Sequence, residues 1–122
     1  MTNNTRQRLG KWGEETATIF LTDRGYQILE RNFRTPYGEI DLIARLEDTI
    51  VFVEVKTRSS QTLGMPEISV TSRKQMHMLQ SAEYYIQQHP DLPCTWRIDV
   101  IAIQRLTSDG SPQITQFENV VA

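Results

Sequence analysis

The sequence is poor in the residues that build disulfides and zinc sites. Its 122 residues include one cysteine, Cys94, and two histidines, His77 and His89. A single cysteine cannot form a disulfide within the chain, which is typical of a reducing compartment, so we expect a cytoplasmic protein. One cysteine and two separated histidines also exclude a zinc site of the Cys/His kind. A metal ion would therefore have to be held by oxygen ligands.

Long apolar runs are lacking as well. No stretch approaches the ~18–20 apolar residues of a membrane-spanning helix. Residues 1–11 are polar and basic, without the apolar segment of a signal peptide. Hydrophobic residues make up 39% and charged residues 23%, an ordinary globular balance. We therefore expect one globular domain over residues 1–122, with no membrane partner.

An excess of positive charge is also lacking. The net charge is −2, which alone argues against a nucleic-acid-binding protein, because phosphate contacts need clustered Lys and Arg. The distribution of charge along the chain is less unfavourable to nucleic-acid binding, since residues 1–34 carry six Lys or Arg against four Asp or Glu. Carboxylates that bind a divalent cation would make the local field more positive still. Composition leaves nucleic-acid binding open.

The hydrophobic pattern predicts elements in the order α-β-β-β-α-β-β, an α/β fold with a mixed central sheet flanked by helices. The predicted helices cover 5–24 and 72–88, and the predicted strands cover 26–33, 39–45, 49–57, 95–103 and 114–120. Residues 58–66 read as a polar loop and Asp109-Gly110 as a turn. Gly25 is expected to end the first helix, and Ser72 with Gln75 to form a capping box on the second.

Charged residues interrupt the two most apolar strands. Alternation predicts one shared face for Glu39, Asp41 and Ile43 in the first of these strands, and one for Phe52, Glu54, Lys56 and Arg58 in the next. The connection at Glu47-Asp48 is short, so residues whose numbers sum to 95 should pair across the hairpin. This register puts Asp41 opposite Glu54 and Glu39 opposite Lys56.

Two facing carboxylates in an apolar setting are costly unless Lys56 or a cation neutralises them. The pair Asp41 and Glu54 suits Mg²⁺, which prefers oxygen ligands, with the backbone carbonyl of Val55 as a further ligand and Mn²⁺ as a substitute. Such an ion polarises a phosphoryl oxygen and activates water, and Lys56 would orient that water or stabilise developing charge. The alternative is an ordinary charged stripe on a solvated face. It is disfavoured because Phe52 shares the face of Glu54.

These residues resemble the PD-(D/E)XK nuclease superfamily, with Asp41 as the motif aspartate and Glu54-Val55-Lys56 as its E-x-K; Ile40 stands where the superfamily label has proline. The sequence is more closely similar to the YraN-like family of bacterial proteins, which are similar to archaeal Holliday-junction resolvases. The matching segments are Gly13-Glu14, Gly25-Tyr26, residues 38–44, residues 51–58, Val70-Thr71-x-x-Lys74-Gln75 and residues 97–103.

The resemblance implies a restriction-endonuclease-like α-β-β-β-α-β core. It also implies a Mg²⁺-dependent endonuclease that hydrolyses phosphodiester bonds in DNA, structured or branched DNA included. Glu14 matches the helix glutamate of the resolvases, a further metal ligand. On a helical wheel Glu14 falls beside Leu21, so it can reach the sheet edge. The open alternative for Glu14 is an acid at the boundary of the core.

Three residues are candidates for nucleic-acid contacts. Arg58 leaves the strand of Glu54 and Lys56 on a loop, where a solvated position is the alternative. Lys74 and Gln75 lie in the first turn of the second helix, where backbone N–H groups favour anions, although Gln75 is preferred as a capping residue. Asp99 in the fourth strand is assigned a structural hydrogen bond.

We expect DNA as the partner and leave a homodimer open. Two rival functions are a non-catalytic nucleic-acid-binding module on a nuclease fold and a protein–protein adaptor with a solvated acidic strand face. Mg²⁺ binding would separate the adaptor from the other two, and metal-dependent cleavage would separate the enzyme from the binding module.

Overall fold

The computed structural model describes residues 3–58, 71–93, 95–105 and 111–121. Its elements are α1 (Asn3–Asp23), β1 (Gln27–Thr35), β2 (Gly38–Leu46), β3 (Thr49–Arg58), α2 (Ser72–Gln88), β4 (Thr95–Arg105) and β5 (Pro112–Phe117). The predicted class and element order are confirmed. The predicted turn at Asp109-Gly110 and residues 59–66 of the predicted loop lie outside the described residues. No helix in the described part of the chain is long and apolar enough to cross a membrane.

The five strands form one mixed sheet in the order β1-β2-β3-β4-β5. Strands β3 and β4 are parallel, and all other neighbours are antiparallel. Helix α2 lies in the connection that a parallel pair requires. The two helices cover opposite faces of the sheet, and each face has its own core cluster. The α1-side cluster is Ala17, Leu21, Tyr26, Leu42, Ala44, Val51, Val53, Ile101 and Ile103. The α2-side cluster is Ile40, Ile43, Ile50, Phe52, Ala82, Tyr85, Ile98 and Val121.

The end of α1 follows the prediction and the start of α2 does not. Gly25 has φ 91°, and the Tyr26 N–H donates to the Leu21 carbonyl at 3.0 Å, a Schellman ending. The N-cap of α2 is Thr71 rather than Ser72. Thr71 has the extended conformation of a cap and its hydroxyl accepts from the Lys74 N–H at 3.2 Å, whereas Ser72 is already helical.

Two strand boundaries are also corrected. β1 begins at Gln27 and not at Tyr26, because the Tyr26 N–H is taken up by the ending of α1. β5 covers Pro112–Phe117 rather than 114–120. It ends where Asn119 turns to φ 54° and its N–H donates to the carboxylate of Asp99 at 2.9 Å.

The predicted hairpin register is confirmed over the paired part of β2 and β3. Pairing extends from Leu46–Thr49 to Leu42–Val53, so each pair sums to 95 as expected. Pairing stops at Leu42–Val53, so Asp41, the residue that precedes Leu42, is not paired with β3. The start of β2 and the end of β3, which lie beyond this pair, frame the candidate site.

Candidate active site

The carboxylate of Asp41 lies where the pairing of β2 with β3 stops and the two strands separate. Its Oδ2 atom accepts a hydrogen bond from the Val55 N–H at 2.8 Å. Asp41 thereby replaces a strand carbonyl as the partner of that N–H. The N–H and C=O of one strand residue point to the same side, so the Val55 carbonyl faces the same opening. Asp41 and the backbone of Val55 are brought together as the sequence predicted.

Strict alternation fails at Asp41. Ile40 and Ile43 belong to the same α2-side cluster, although alternation would put them on opposite faces. The predicted single face for Glu39, Asp41 and Ile43 is therefore wrong. Opposite Asp41 in the β1–β2 register stands Asn32, with φ 53°, a left-handed conformation that Asn adopts more readily than most residues. Strand geometry is irregular around Asp41, which frees its side chain to turn toward β3.

Negative charge is crowded around Asp41. The pKa of Asp41 is raised from 3.8 to about 6, chiefly by burial, and the hydrogen bond from Val55 only partly opposes this. The charges of Glu14, Glu54 and Glu39 contribute to the same rise in pKa. Near neutral pH the ionised Asp41 is therefore destabilised by both desolvation and repulsion, and a cation would relieve both.

Glu54 lies on the α2 side of β3, as does Phe52. Its Oε1 atom forms an ion pair with the Nζ of Lys74 at 2.6 Å, and only 16% of its side chain is exposed. Its Oε2 atom is buried and has no hydrogen-bond partner among the described residues. The sequence suggested Lys56 or a cation as the group that neutralises this carboxylate, and the structure places Lys74 there.

The predicted pairing of Glu39 with Lys56 is wrong in register. The first residues of β2 are not paired with β3 but are paired with β1, where Arg34 is the partner of Glu39. The Nε of Arg34 lies 3.5 Å from the Glu39 carboxylate in an exposed ion pair. Lys56 continues β3 two residues beyond Glu54 and is half-buried.

A glycine in α1 explains how Glu14 approaches the sheet. A Cβ at Gly13 would overlap the hydroxyl of Thr57, so only glycine lets α1 approach β3 this closely. Glu14 is the next residue, half-buried, and its charge acts on Asp41. The structure therefore brings Glu14 to the edge of the site, as the helical wheel predicted.

The predicted nucleic-acid contacts have different surroundings. Arg58 is the exposed last residue of β3, so its predicted place at the start of a loop is wrong. Lys74 is half exposed and engaged with Glu54. The N–H of Gln75 donates to the Thr71 carbonyl at 2.9 Å, within the first turn of α2. Nucleic-acid binding by these three residues stays a prediction.

A cavity of about 120 Å³ opens beside the carboxylates, between the hairpin and the N-terminal half of α2. Its lining combines an apolar wall with charged residues. The wall includes Ile40, Phe52, Met78 and Ile98. The charged residues are Glu39, Asp41, Glu54 and Lys74, of which the half-exposed Lys74 lies at the mouth.

The oxygen donors at the site are two carboxylates and one backbone carbonyl. Within the described ranges no group of three His, Cys, Asp or Glu side chains could hold a metal ion. Asp41, Glu54 and the Val55 carbonyl therefore remain the candidate ligands, with Glu14 nearby.

Sequence reasoning missed the Glu54–Lys74 ion pair. The two residues belong to different elements, and no local spacing relates a strand position to the first turn of the next helix. The assignment of Asp99 was correct. It is fully buried and accepts hydrogen bonds from Arg97 at 3.1 Å, Gln116 at 2.9 Å and the Asn119 N–H at 2.9 Å.

Comparison with known proteins places the chain in a family. Residues 13–103 match the model of the family described as Uncharacterised protein family UPF0102. A UPF0102 protein of Syntrophomonas wolfei is 45% identical over 113 residues, covering 93% of this chain and 96% of the relative. One of Moorella thermoacetica is 48% identical over 99 residues, covering 81% and 82%. The matched range contains every candidate site residue, and the chain belongs to the UPF0102 family.

Proposed function

We propose that this protein is a Mg²⁺-dependent endonuclease of the PD-(D/E)XK type that hydrolyses phosphodiester bonds in DNA, structured or branched DNA included. The observation that carries the proposal is the placement of Asp41. Its carboxylate lies against the Val55 backbone in the opening between β2 and β3, close enough to Glu54 for the two charges to interact.

The residues present fit a hard divalent cation. All donors are oxygens, the Asp41 carboxylate is destabilised when ionised, and Glu54 Oε2 is a buried acceptor that no described residue satisfies. Asp41, Glu54 and the Val55 carbonyl would hold Mg²⁺ or Mn²⁺. When bound, the ion supplies Lewis-acid polarisation of the phosphoryl group and a lowered pKa for water.

The chain itself supplies the cationic groups. Lys56 lies two residues beyond Glu54 on β3, where its ammonium group can orient the attacking water and stabilise charge developing on the phosphate. Arg58 extends the same strand by two more residues, or about 7 Å at the usual strand rise, toward the adjoining backbone of the DNA. Lys74, which now pairs with Glu54, is close enough to the site to contact a phosphate once Glu54 has another cation.

The direct test is cleavage of a panel of labelled junctions, flaps, single strands and duplexes with Mg²⁺ or Mn²⁺. We expect Asp41→Asn and Glu54→Gln each to abolish cleavage and to weaken ion binding in calorimetric titration. Asp48→Asn is the matched control, because Asp48 is an aspartate of the same hairpin whose side chain is 97% exposed. Ion binding that is unchanged in both site variants would refute the ligand assignment.

A second function, a non-catalytic nucleic-acid-binding module, is favoured by one observation. The Glu54–Lys74 ion pair already neutralises one of the two carboxylates, so the fold does not depend on a metal for charge balance. DNA binding by the wild type without cleavage of any substrate in the panel, in either metal, would favour this second function.

A further inference from the structure

The apolar wall of the cavity has no role in the chemistry proposed above. Phe52 and Ile98 are each 2% exposed and Ile40 is 7% exposed, so the wall is built from the α2-side core. The half-exposed Lys74 lies at the mouth, and the carboxylates of Glu39, Asp41 and Glu54 also line the cavity. An occupant of this cavity therefore combines an apolar body with a group suited to the charged site.

The volume limits that occupant to a single ring. The cavity measures about 120 Å³. A protein cavity of roughly 150 Å³ holds benzene, whereas one water has a share of roughly 30 Å³ in the liquid. The cavity is somewhat smaller than the one that holds benzene but is open on one side, so it accepts one six-membered ring whose edge stays in the mouth. A fused two-ring system does not fit without displacement of the walls.

The buried hydroxyl of Ser81 gives the cavity hydrogen-bonding specificity. The Thr35 hydroxyl donates to the Gly38 carbonyl at 2.7 Å and lies 2.9 Å from the Ser81 Oγ. Since the proton of Thr35 is used, Ser81 must donate to Thr35. Ser81, 2% exposed and part of the cavity lining, keeps lone pairs that accept from a ligand N–H.

We propose that this cavity binds one unpaired pyrimidine base of the DNA substrate, next to the phosphate at the carboxylate site. The proposal rests on the proposed function and specifies its substrate class. A pyrimidine presents a flat ring to the apolar wall and an N–H or amino donor to Ser81. Its own backbone phosphate then lies at the mouth, near Lys74.

A base can enter the cavity only when it is outside a duplex. A paired and stacked base has both faces and its Watson–Crick edge covered, and extrusion from a duplex costs a few kcal/mol. Single strands, flaps and junctions offer unpaired bases without that cost. The cavity therefore selects DNA with unpaired pyrimidines beside the cleaved bond.

The test measures binding with Ca²⁺ in place of Mg²⁺, so that a divalent cation offsets the carboxylates and leaves Lys74 to the phosphate, while Ca²⁺, a weaker Lewis acid, limits cleavage. Labelled oligo(dT), oligo(dA) of equal length and a blunt duplex are titrated against wild type and against Ser81→Leu, which fills the cavity. We expect wild type to prefer oligo(dT), and Ser81→Leu to lose about tenfold in affinity for oligo(dT), an ordinary value for one stacked base. Affinity for the duplex should not change.

Gln87→Leu is the matched control, because it places the same side chain at an exposed position of the same helix. Ile98→Phe fills the cavity from β4 and serves as a second variant if Ser81→Leu does not fold. Fluorine NMR of a fluorinated pyrimidine oligonucleotide with wild-type protein tests the site without any mutation, and a shifted resonance is expected.

Folded, cavity-filled variants that bind oligo(dT) like wild type would overturn the proposal, as would an unshifted fluorine resonance in a bound oligonucleotide. The outcome is distinguishable from failure of the proposed function. Loss of oligo(dT) preference in the filled variants, with no cleavage by wild type, would support the base site and refute the nuclease. Cleavage by wild type, with an unchanged oligo(dT) preference in the filled variants, would support the nuclease and refute the base site.

Discussion

The Nζ atom of Lys74 lies 2.6 Å from Oε1 of Glu54 and joins the first turn of α2 to the middle of β3. The pair has two consequences. It neutralises one carboxylate of a site where negative charge is crowded, and it gives Glu54 a cationic partner that a metal ion would have to share or replace. Metal binding, DNA binding and the position of Lys74 are therefore expected to be coupled.

Lys74→Met tests this coupling. The variant removes the ammonium group that pairs with Oε1 of Glu54, so Mg²⁺ should bind several-fold more tightly. The metal-free protein should lose about 1 kcal/mol or less, since Lys74 is half exposed. Calorimetric titration and thermal unfolding in EDTA measure the two effects. Arg73→Met, at the neighbouring exposed position, should change neither. Weaker Mg²⁺ binding in Lys74→Met would show that Lys74 supports the metal site rather than competing with the ion.

Asp41→Asn should stabilise the metal-free protein in a pH-dependent manner. The pKa of Asp41 is 3.8 unfolded and about 6 folded. Below about pH 3 Asp41 is mostly protonated in both states and has almost no cost. As pH rises, the unfolded state releases the proton first, so stability falls until the pH exceeds the folded pKa. The full cost is at most about 3 kcal/mol.

Denaturant unfolding in EDTA across this pH range checks the prediction. The variant should match wild type near pH 3 and exceed its stability above pH 6. The Asn amide oxygen can still accept the Val55 N–H, so this hydrogen bond is kept. Asp48→Asn, at an exposed position, should show no such trend. A stability difference that does not vary with pH would mean that Asp41 is not the titrating group.

Much of the fold could be predicted from the sequence, because strong periodicity defines β2, β3 and α2 and the short connection fixes the hairpin register. The geometry at Asp41 could not. Alternation assumes a regular strand, whereas β2 is paired with β3 only from Leu42 onward and is irregular opposite Asn32. The partner of Glu54 was also unpredictable, since it depends on how α2 packs across the sheet.

Arg58→Ala tests the path of the DNA backbone. One lost phosphate contact should weaken binding equally for all sequences and reduce the slope of log K against log salt by roughly 0.7–0.9. Arg31→Ala, at an exposed position of β1, is the control and should keep the wild-type slope. Equal slopes in Arg58→Ala and wild type would place the phosphate contacts elsewhere, with Arg6, Arg8 and Lys11 of α1 as the next candidates.

Asp99→Ala should have the opposite effect on stability to Asp41→Asn. Asp99 is fully buried and satisfied by Arg97, Gln116 and the Asn119 N–H. Its removal takes the buried partner from the partly buried Arg97 and leaves it only the exposed carboxylate of Glu118 at 3.7 Å. Loss of one partner of a buried pair typically costs about 3–5 kcal/mol. Chemical denaturation measures the loss. If Asp99→Ala unfolds at the same denaturant concentration as wild type, the hydrogen-bond network around Arg97 is not what holds β4 to β5.

Lys56→Met separates an enzyme from a binding protein. The aliphatic part of the side chain is kept and the charge is removed. If Lys56 acts on the attacking water and on developing charge, its contribution arises mainly in the transition state. Cleavage should then fall by two orders of magnitude or more, about 3 kcal/mol in the barrier, while DNA affinity changes much less. Single-turnover cleavage and binding titrations on the same substrate measure the two quantities.

Lys56→Arg is the companion variant, and it should restore only part of the rate, because a planar guanidinium cannot replace a compact ammonium group. The competing explanation is that Lys56 only offsets the charge of Asp41 and Glu54. In that case its loss lowers stability, and activity follows the folded fraction. Thermal unfolding, measured together with cleavage, decides between the two explanations. A rate loss in fully folded Lys56→Met supports a catalytic role. If the unfolded fraction accounts for the whole rate loss, Lys56 has no part in the mechanism.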